Sequence, residues 1–254
     1  MNILLDISFD GTDFCGFQVQ KNGLSVCEVI QNALEAVLGE RPVVKGCGRT
    51  DAGVHAMHYA LNFWADTDIP PEKLPLALNR HLPQAVRVNS ARRVPQDFHA
   101  RYSAHRKTYV YRIWNSPVES PFEAAYHHRI AQPLDTAAMA AAAKGFVGRH
   151  DFLSLCAAGS SVAAKGDTVR TITACEVKRA GDLVTITVTA DGYLYNMVRI
   201  LAGTLVQAGR GALDPAAVPA ILAGRDRGLA GPTLPARGLF LQRVDYPPEA
   251  LAAE

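Results

Sequence analysis

Gly46-Cys47-Gly48-Arg49-Thr50-Asp51-Ala52-Gly53-Val54-His55 stands between two segments that read as strands, Val43-Val44 before it and residues 59–64 after it. One cation, one hydroxyl and one carboxylate occupy three consecutive positions, Arg49, Thr50 and Asp51, with glycines on both sides and Val54 as the bulky apolar anchor. Glycines permit tight or left-handed backbone, so the stretch is built to present a side chain. Two readings stay open from these residues. It is a plain turn, with Asp51 bonding its own backbone and Arg49 as surface partner, or a carboxylate held out for chemistry.

Working outward, residues 3–9 alternate as a strand and end in the turn Asp10-Gly11-Thr12-Asp13. Residues 27–38 place Val29, Ile30, Ala33, Leu34, Val37 and Leu38 on one helical stripe, stopped by Gly39. In the strand at 59–64, Tyr59, Leu61 and Phe63 share a face. Pro70-Pro71 opens a helix to about Leu82, and 85–94 reads as a strand. The order is strand, helix, strand, strand, helix, strand.

The second half repeats that order with a different sequence. Residues 107–115 form a strand and 135–147 an alanine-rich helix. Residues 171–179 and 183–190 make a hairpin turning at Ala180-Gly181-Asp182. Then come a helix at 193–208, an extra helix at 215–223 and a last strand at 239–244. The class is α+β, with two ferredoxin-like (βαββαβ) halves, 1–104 and 105–254, joined near Ala104. Such a fold fixes no function.

The chain of 254 residues is 48% apolar and 20% charged, which excludes a disordered or membrane-embedded protein as an expectation. No apolar run is long enough to span a bilayer, and the first residues lack a secretory pattern. Five cysteines without a Cys-x-x-Cys spacing point to free thiols in a cytoplasmic setting. A net charge of +2 does not by itself announce nucleic acid, so the argument rests on clustering. From Phe98 to Val118 there is no acidic residue, while Arg101, Arg106, Lys107 and Arg112 stand with His99 and His105 among Tyr102, Tyr109, Tyr111 and Trp114. Cations among aromatics suit phosphates and unstacked bases. A basic edge strand with inward aromatics is the other reading.

Gly48 to His55 resembles the signature of the tRNA pseudouridine synthase A family, enzymes of the tRNA anticodon arm. The run Tyr195-Asn196-Met197-Val198-Arg199 resembles that family's second strong motif, with Ile200 where an asparagine is usual. The segments Arg106 to Tyr111, Asp97 to Ala104 and Gly148 to Phe152 also resemble it, and the likeness runs from about Asp6 to Tyr246. It implies two ferredoxin-like halves forming one broad, mainly antiparallel sheet, with helices on one face and a catalytic cleft between the halves. It implies isomerisation of uridine to pseudouridine at positions 38, 39 and 40 of the anticodon stem-loop, by a homodimer using no cofactor and no metal.

The same resemblance names site residues. Asp51 is the essential carboxylate, open to attack at C1′, addition at C6 or removal of a ribose proton. Arg199 is its counter-cation, since an arginine among apolar neighbours is costly unless paired. Read from its residues alone, the helix around Arg199 is also consistent with one exposed arginine on an amphipathic surface. Tyr109 stacks on the target base, although Tyr111 shares its face and both suit a core. Arg49 enters the RNA, or forms an ordinary salt bridge; a persisting strand pleat puts it on the side of Asp51. Arg101 contacts RNA or serves structure. Two rivals remain: a synthase of this fold with another RNA target, and a non-catalytic RNA-binding module.

Other groups are set aside. Cys47, His55 and His58 lack a convincing ligand spacing. His127-His128 is expected to be solvated, and residues 148–152 are expected to form a turn before a strand. Residues 157–168 are expected to be a mobile loop, with Lys165 and Arg170 able to clasp RNA.

Overall fold

In a computed structural model, described for residues 1–252, the chain runs β1 (Asn2–Phe9), α1 (Val26–Leu38), β2 (Lys45–Gly46), β3 (His55–Trp64), α2 (Leu74–Leu78), β4 (Val86–Arg93) and β5 (Arg106–Trp114). It continues with β6 (His128–Arg129), α3 (Thr136–Lys144), β7 (Gly148–Asp151), α4 (Ser161–Ala164), β8 (Val169–Ala180) and β9 (Leu183–Ala190). The last elements are α5 (Met197–Gly209), α6 (Val218–Gly224), β10 (Leu239–Asp245) and α7 (Pro248–Leu251). The class is α+β and the pairing mostly antiparallel. Two compact units form: Met1–Lys107 together with the segment from Phe240 onward, and Thr108–Leu239.

In the first unit the strand order is β4-β1-β3-β10, with β2 on β3. β1 lies antiparallel between β3 and β4, and β10 joins β3 in parallel through Phe240 opposite His55. Ile3, Leu5 and Ile7 are wholly buried, as are Leu61 and Phe63. Helix α1 begins where Ser25 Oγ accepts from Glu28 N–H at 3.2 Å and ends where Gly39 N–H donates to Glu35 O at 2.9 Å. Its Val29, Ile30, Ala33 and Leu34 are buried, as the spacing predicts. The expected strand at Val43-Val44 falls two residues later, as β2. The expected helix at 70–82 is a 3₁₀ turn followed by the five residues of α2, because Pro75 falls inside the expected span, where it has no N–H to bond back to the carbonyl of residue 71, but is tolerated in the first turn of α2.

In the second unit the order is β5-β9-β8-β7, with β6 parallel to β5. The hairpin β8–β9 is the longest antiparallel pairing there, and β9 alternates buried and half-buried positions. Asp135 caps α3, accepting from Ala137 and Ala138 N–H at 2.8 and 3.0 Å. Three expectations need correction. The helix expected at 193–208 begins only at Met197, because Asn196 sits in left-handed backbone at φ 59 and breaks the earlier turn. Residues 148–151 are themselves a strand, β7, paired to β8. His127 is not solvated: its ring is fully buried on Trp114, with Glu119 Oε1 2.6 Å from Nε2. Residues 157–168 contain the short α4, capped by Ser160.

Candidate active site

Asp51 lies, part-buried, just past β2 on a segment with no regular structure, so the strand pleat that would align it with Arg49 has already ended. The backbone around it is fixed carbonyl by carbonyl. Lys107 Nζ donates to Cys47 O at 2.6 Å and Tyr59 Oη to Gly48 O at 2.5 Å. Phe17 N–H donates to Thr50 O at 3.4 Å and Val54 N–H to Asp51 O at 3.2 Å, closing a turn. Gly53 N–H reaches back to Phe14 O at 3.3 Å.

A neighbouring segment, residues 10–17, backs this loop at contact distance. A side-chain carbon on Gly11 would fall on the Val54 carbonyl, and one on Gly16 would fall on the Thr50 carbonyl; Gly16 also has φ +107. Only glycine allows this approach. Tyr59, wholly buried, stacks on Phe17 with centroids 4.2 Å apart. The His55 ring accepts from Gly11 N–H at 3.0 Å, lies 3.1 Å from Asp10 Oδ1 and stacks on Phe240 at 4.6 Å. Thr50 Oγ1 is buried with no hydrogen-bond partner among the described residues.

The charges beneath the loop are desolvated. Burial pushes the Cys47 thiol up to about 11, with Lys107 opposing it. Burial also holds Lys107 below the usual lysine range, and Arg101 adds to that. Cys47 is therefore a packing group. Arg49 and Arg101 are both exposed. His58 lies 2.9 Å from Asp6, away from Cys47's role, and among the described residues no group of three or more His, Cys, Asp or Glu could hold a metal ion.

In the second unit Arg199 sits in the first turn of α5, part-buried. Its Nε donates to Leu234 O at 2.7 Å and its Nη1 to Asn196 Oδ1 at 2.9 Å. Asn196, in left-handed backbone, thus supplies an acceptor for the arginine. Leu234 N–H returns to Arg199 O at 3.3 Å, and Thr204 Oγ1 accepts from Gly231 N–H at 2.9 Å, tying residues 231–234 along the helix. Helix α5 is buried on nearly all sides, Ile200 included, so it is not an amphipathic surface helix. Tyr111 is fully enclosed and donates to Pro235 O at 2.8 Å; burial drives its phenol far up, against Arg199 and Arg237 nearby. Tyr109 keeps 9% exposure and meets Tyr193 edge-on at 5.0 Å. Both tyrosines are buried, Tyr111 completely.

This chain matches the family described as tRNA pseudouridine synthase over residues 7–103 and 142–247. It is 46% identical over 244 residues to tRNA pseudouridine synthase A of Moorella thermoacetica, covering 95% of this chain and 98% of that protein. It is 44% identical over 245 residues to tRNA pseudouridine synthase A of Ruminiclostridium cellulolyticum, covering 96% and 99%. The chain belongs to the tRNA pseudouridine synthase family.

Within this family's chain, the sequence reading singled out Asp51 and Arg199 but not what holds them. Lys107, which the sequence places in the basic cluster among aromatics, turns inward to Cys47 O; its place in line with Tyr109 and Tyr111 along one strand is the available signal. Tyr59, Phe17 and Asn196 carried no such signal, because their roles come from distant backbone carbonyls or from one unusual backbone conformation. No helix among the described residues is long and apolar enough to cross a membrane.

Proposed function

We propose that this chain converts uridine to pseudouridine at positions 38, 39 and 40 of the tRNA anticodon stem-loop, with Asp51 as the essential carboxylate. Family membership supports tRNA pseudouridylation. The anticodon arm, the homodimer and a cytoplasmic setting rest on the resemblance of residues 48–55 and 195–199. The observation that supports the site best is the loop around Asp51: hydrogen bonds to four of its carbonyls, at Cys47, Gly48, Thr50 and Asp51, hold its backbone while Asp51 itself is part-buried.

The reaction breaks the C1′–N1 bond, turns the uracil, and forms a C1′–C5 bond; C5 loses its hydrogen as a proton and N1 gains one. No electrons leave the substrate. A rigid carboxylate is suited either to attack or to accept a proton during that rearrangement, and rigidity lowers the cost of reaching the reactive geometry. The N-terminal half, 1–104, supplies Asp51 and Arg49; the C-terminal half, 105–254, supplies Tyr109 for the base and Arg199 as counter-cation, a cation favouring the ionised carboxylate. Arg49 and Arg101 are the exposed cations assigned to RNA.

Incubating unmodified tRNA with the protein and mapping pseudouridine by carbodiimide-blocked primer extension tests this reading. New stops confined to positions 38–40 are expected. Stops elsewhere in the tRNA, with none in the anticodon arm, would overturn the assigned position.

A further inference from the structure

The first unit carries an aromatic platform outside the Asp51 loop. Tyr102 is 76% exposed. The His99 ring lies against it with centroids 4.5 Å apart, and the Arg101 guanidinium carbon is 5.6 Å from its ring centre. Single exposed apolar residues are ordinary on protein surfaces. What sets this one apart is that its surroundings are already assembled.

The knuckle at 99–103 is fixed by its backbone. Arg101 N–H donates to His99 Nδ1 at 3.1 Å, His99 N–H to Ser103 Oγ at 3.1 Å, and Ser103 N–H to His99 O at 2.9 Å. Tyr246 Oη donates to Ala100 O at 2.6 Å, and Ala100 N–H to Oδ1 of the buried Asn62 at 2.8 Å. Asn62 is the register partner of Lys45 in the β2–β3 pair. Lys45 is therefore brought beside the knuckle, and it acts with Arg101, after the larger effect of burial, to hold His99 below its usual pKa. A neutral His99 ring is a stacking surface and not another repelling charge.

From Lys45 the chain passes through Arg49 to Asp51, six residues that span at most about 20 Å. The platform and the carboxylate thus belong to one face-length of RNA. A base has a π-face and each nucleotide a phosphate, so an exposed ring between cations meets both chemistries at once.

We propose that Tyr102, flanked by His99 and Arg101 with Lys45 beside them, stacks an unpaired base of the same RNA loop that delivers its uridine to Asp51, the two cations taking the adjoining phosphates. The inference rests on the RNA-isomerase reading above. Its test is the affinity of wild type, Tyr102→Ala, Tyr102→Phe and Lys45→Ala for an anticodon stem-loop RNA as a function of salt. A fluorescent purine at each unpaired loop position in turn reports stacking.

Tyr102→Ala should weaken binding about tenfold and abolish quenching of one of the purines, and Tyr102→Phe should restore both. Lys45→Ala should reduce the salt slope by about one. The exposed Tyr102 ring supports no core, so loss of binding through misfolding is checked by an unchanged circular dichroism spectrum. Binding of Tyr102→Ala within about twofold of wild type, with every purine still quenched, would overturn the platform. If wild type then still releases tritium from C5-labelled tRNA, the isomerase reading survives; if it does not, that reading fails separately.

Discussion

The loop that carries Asp51 and the helix start that carries Arg199 each position one charged side chain, and they do so on different kinds of backbone support. In the Asp51 loop four carbonyls accept from Lys107, Tyr59, Phe17 and Val54, and two glycines let a second segment lie against the loop. Around Arg199 the guanidinium itself is gripped, by Leu234 O and by the side chain of Asn196, a residue type that tolerates the left-handed backbone it adopts here. The first arrangement fixes where the backbone goes. The second fixes the direction of the side chain. A carboxylate that must approach a sugar benefits from the former, and a cation that serves as a counter-charge from the latter.

Substitution at Gly16 should break the first arrangement. Gly16→Ala places a methyl group on the Thr50 carbonyl at a positive φ, so it should destabilise the protein by about 3 kcal/mol or more, read as a lower urea midpoint, and reduce turnover in the fraction that stays folded. A midpoint equal to wild type would show that the loop is not pinned by segment 10–17. Arg199→Leu probes the second arrangement. Turnover should drop about 100-fold while tRNA binding is largely kept, because a counter-charge is lost and an RNA contact is not. Unchanged turnover would remove Arg199 from the chemistry.

The smallest effect concerns the thiol under the Asp51 loop. Cys47 titrates at about 11 in the folded chain against an ordinary value of 9.0. The unfolded chain therefore loses this proton first, so the stability tied to the thiol is complete below about pH 9 and is lost as pH rises through about 11. Urea midpoints at about pH 8 and about pH 10 should differ, and Cys47→Ala should lessen the difference by roughly 1 to 2 kcal/mol. An identical pH response in that variant would place the sensitivity at other groups, such as Cys27 and Cys175, which burial also raises.

The same contrast explains which parts were legible from the residues. The α1 stripe ending at Gly39, the alanine-rich helix after Asp135 and the β8–β9 hairpin follow local rules of spacing and turn chemistry, and they were readable. Asp51 stands out in the sequence because an eight-residue match carries more information than any spacing, and its role remains a proposal. Asn196 was not legible, since a left-handed backbone and a bond accepted from the Arg199 guanidinium leave no spacing pattern in the residues. His127 was misjudged because its neighbour pair looks polar in sequence, whereas Trp114 and Glu119 enclose it only once β6 pairs with β5.

The central claim is that Asp51 performs the isomerisation. Tritium release from tRNA labelled at uridine C5 measures it, since C5 must give up its hydrogen to become the glycosidic carbon. Wild type should release tritium and Asp51→Asn should release at least about 100-fold less, with its fold and tRNA binding preserved. Equal release by the two proteins would contradict the assignment and place the essential carboxylate elsewhere in the chain.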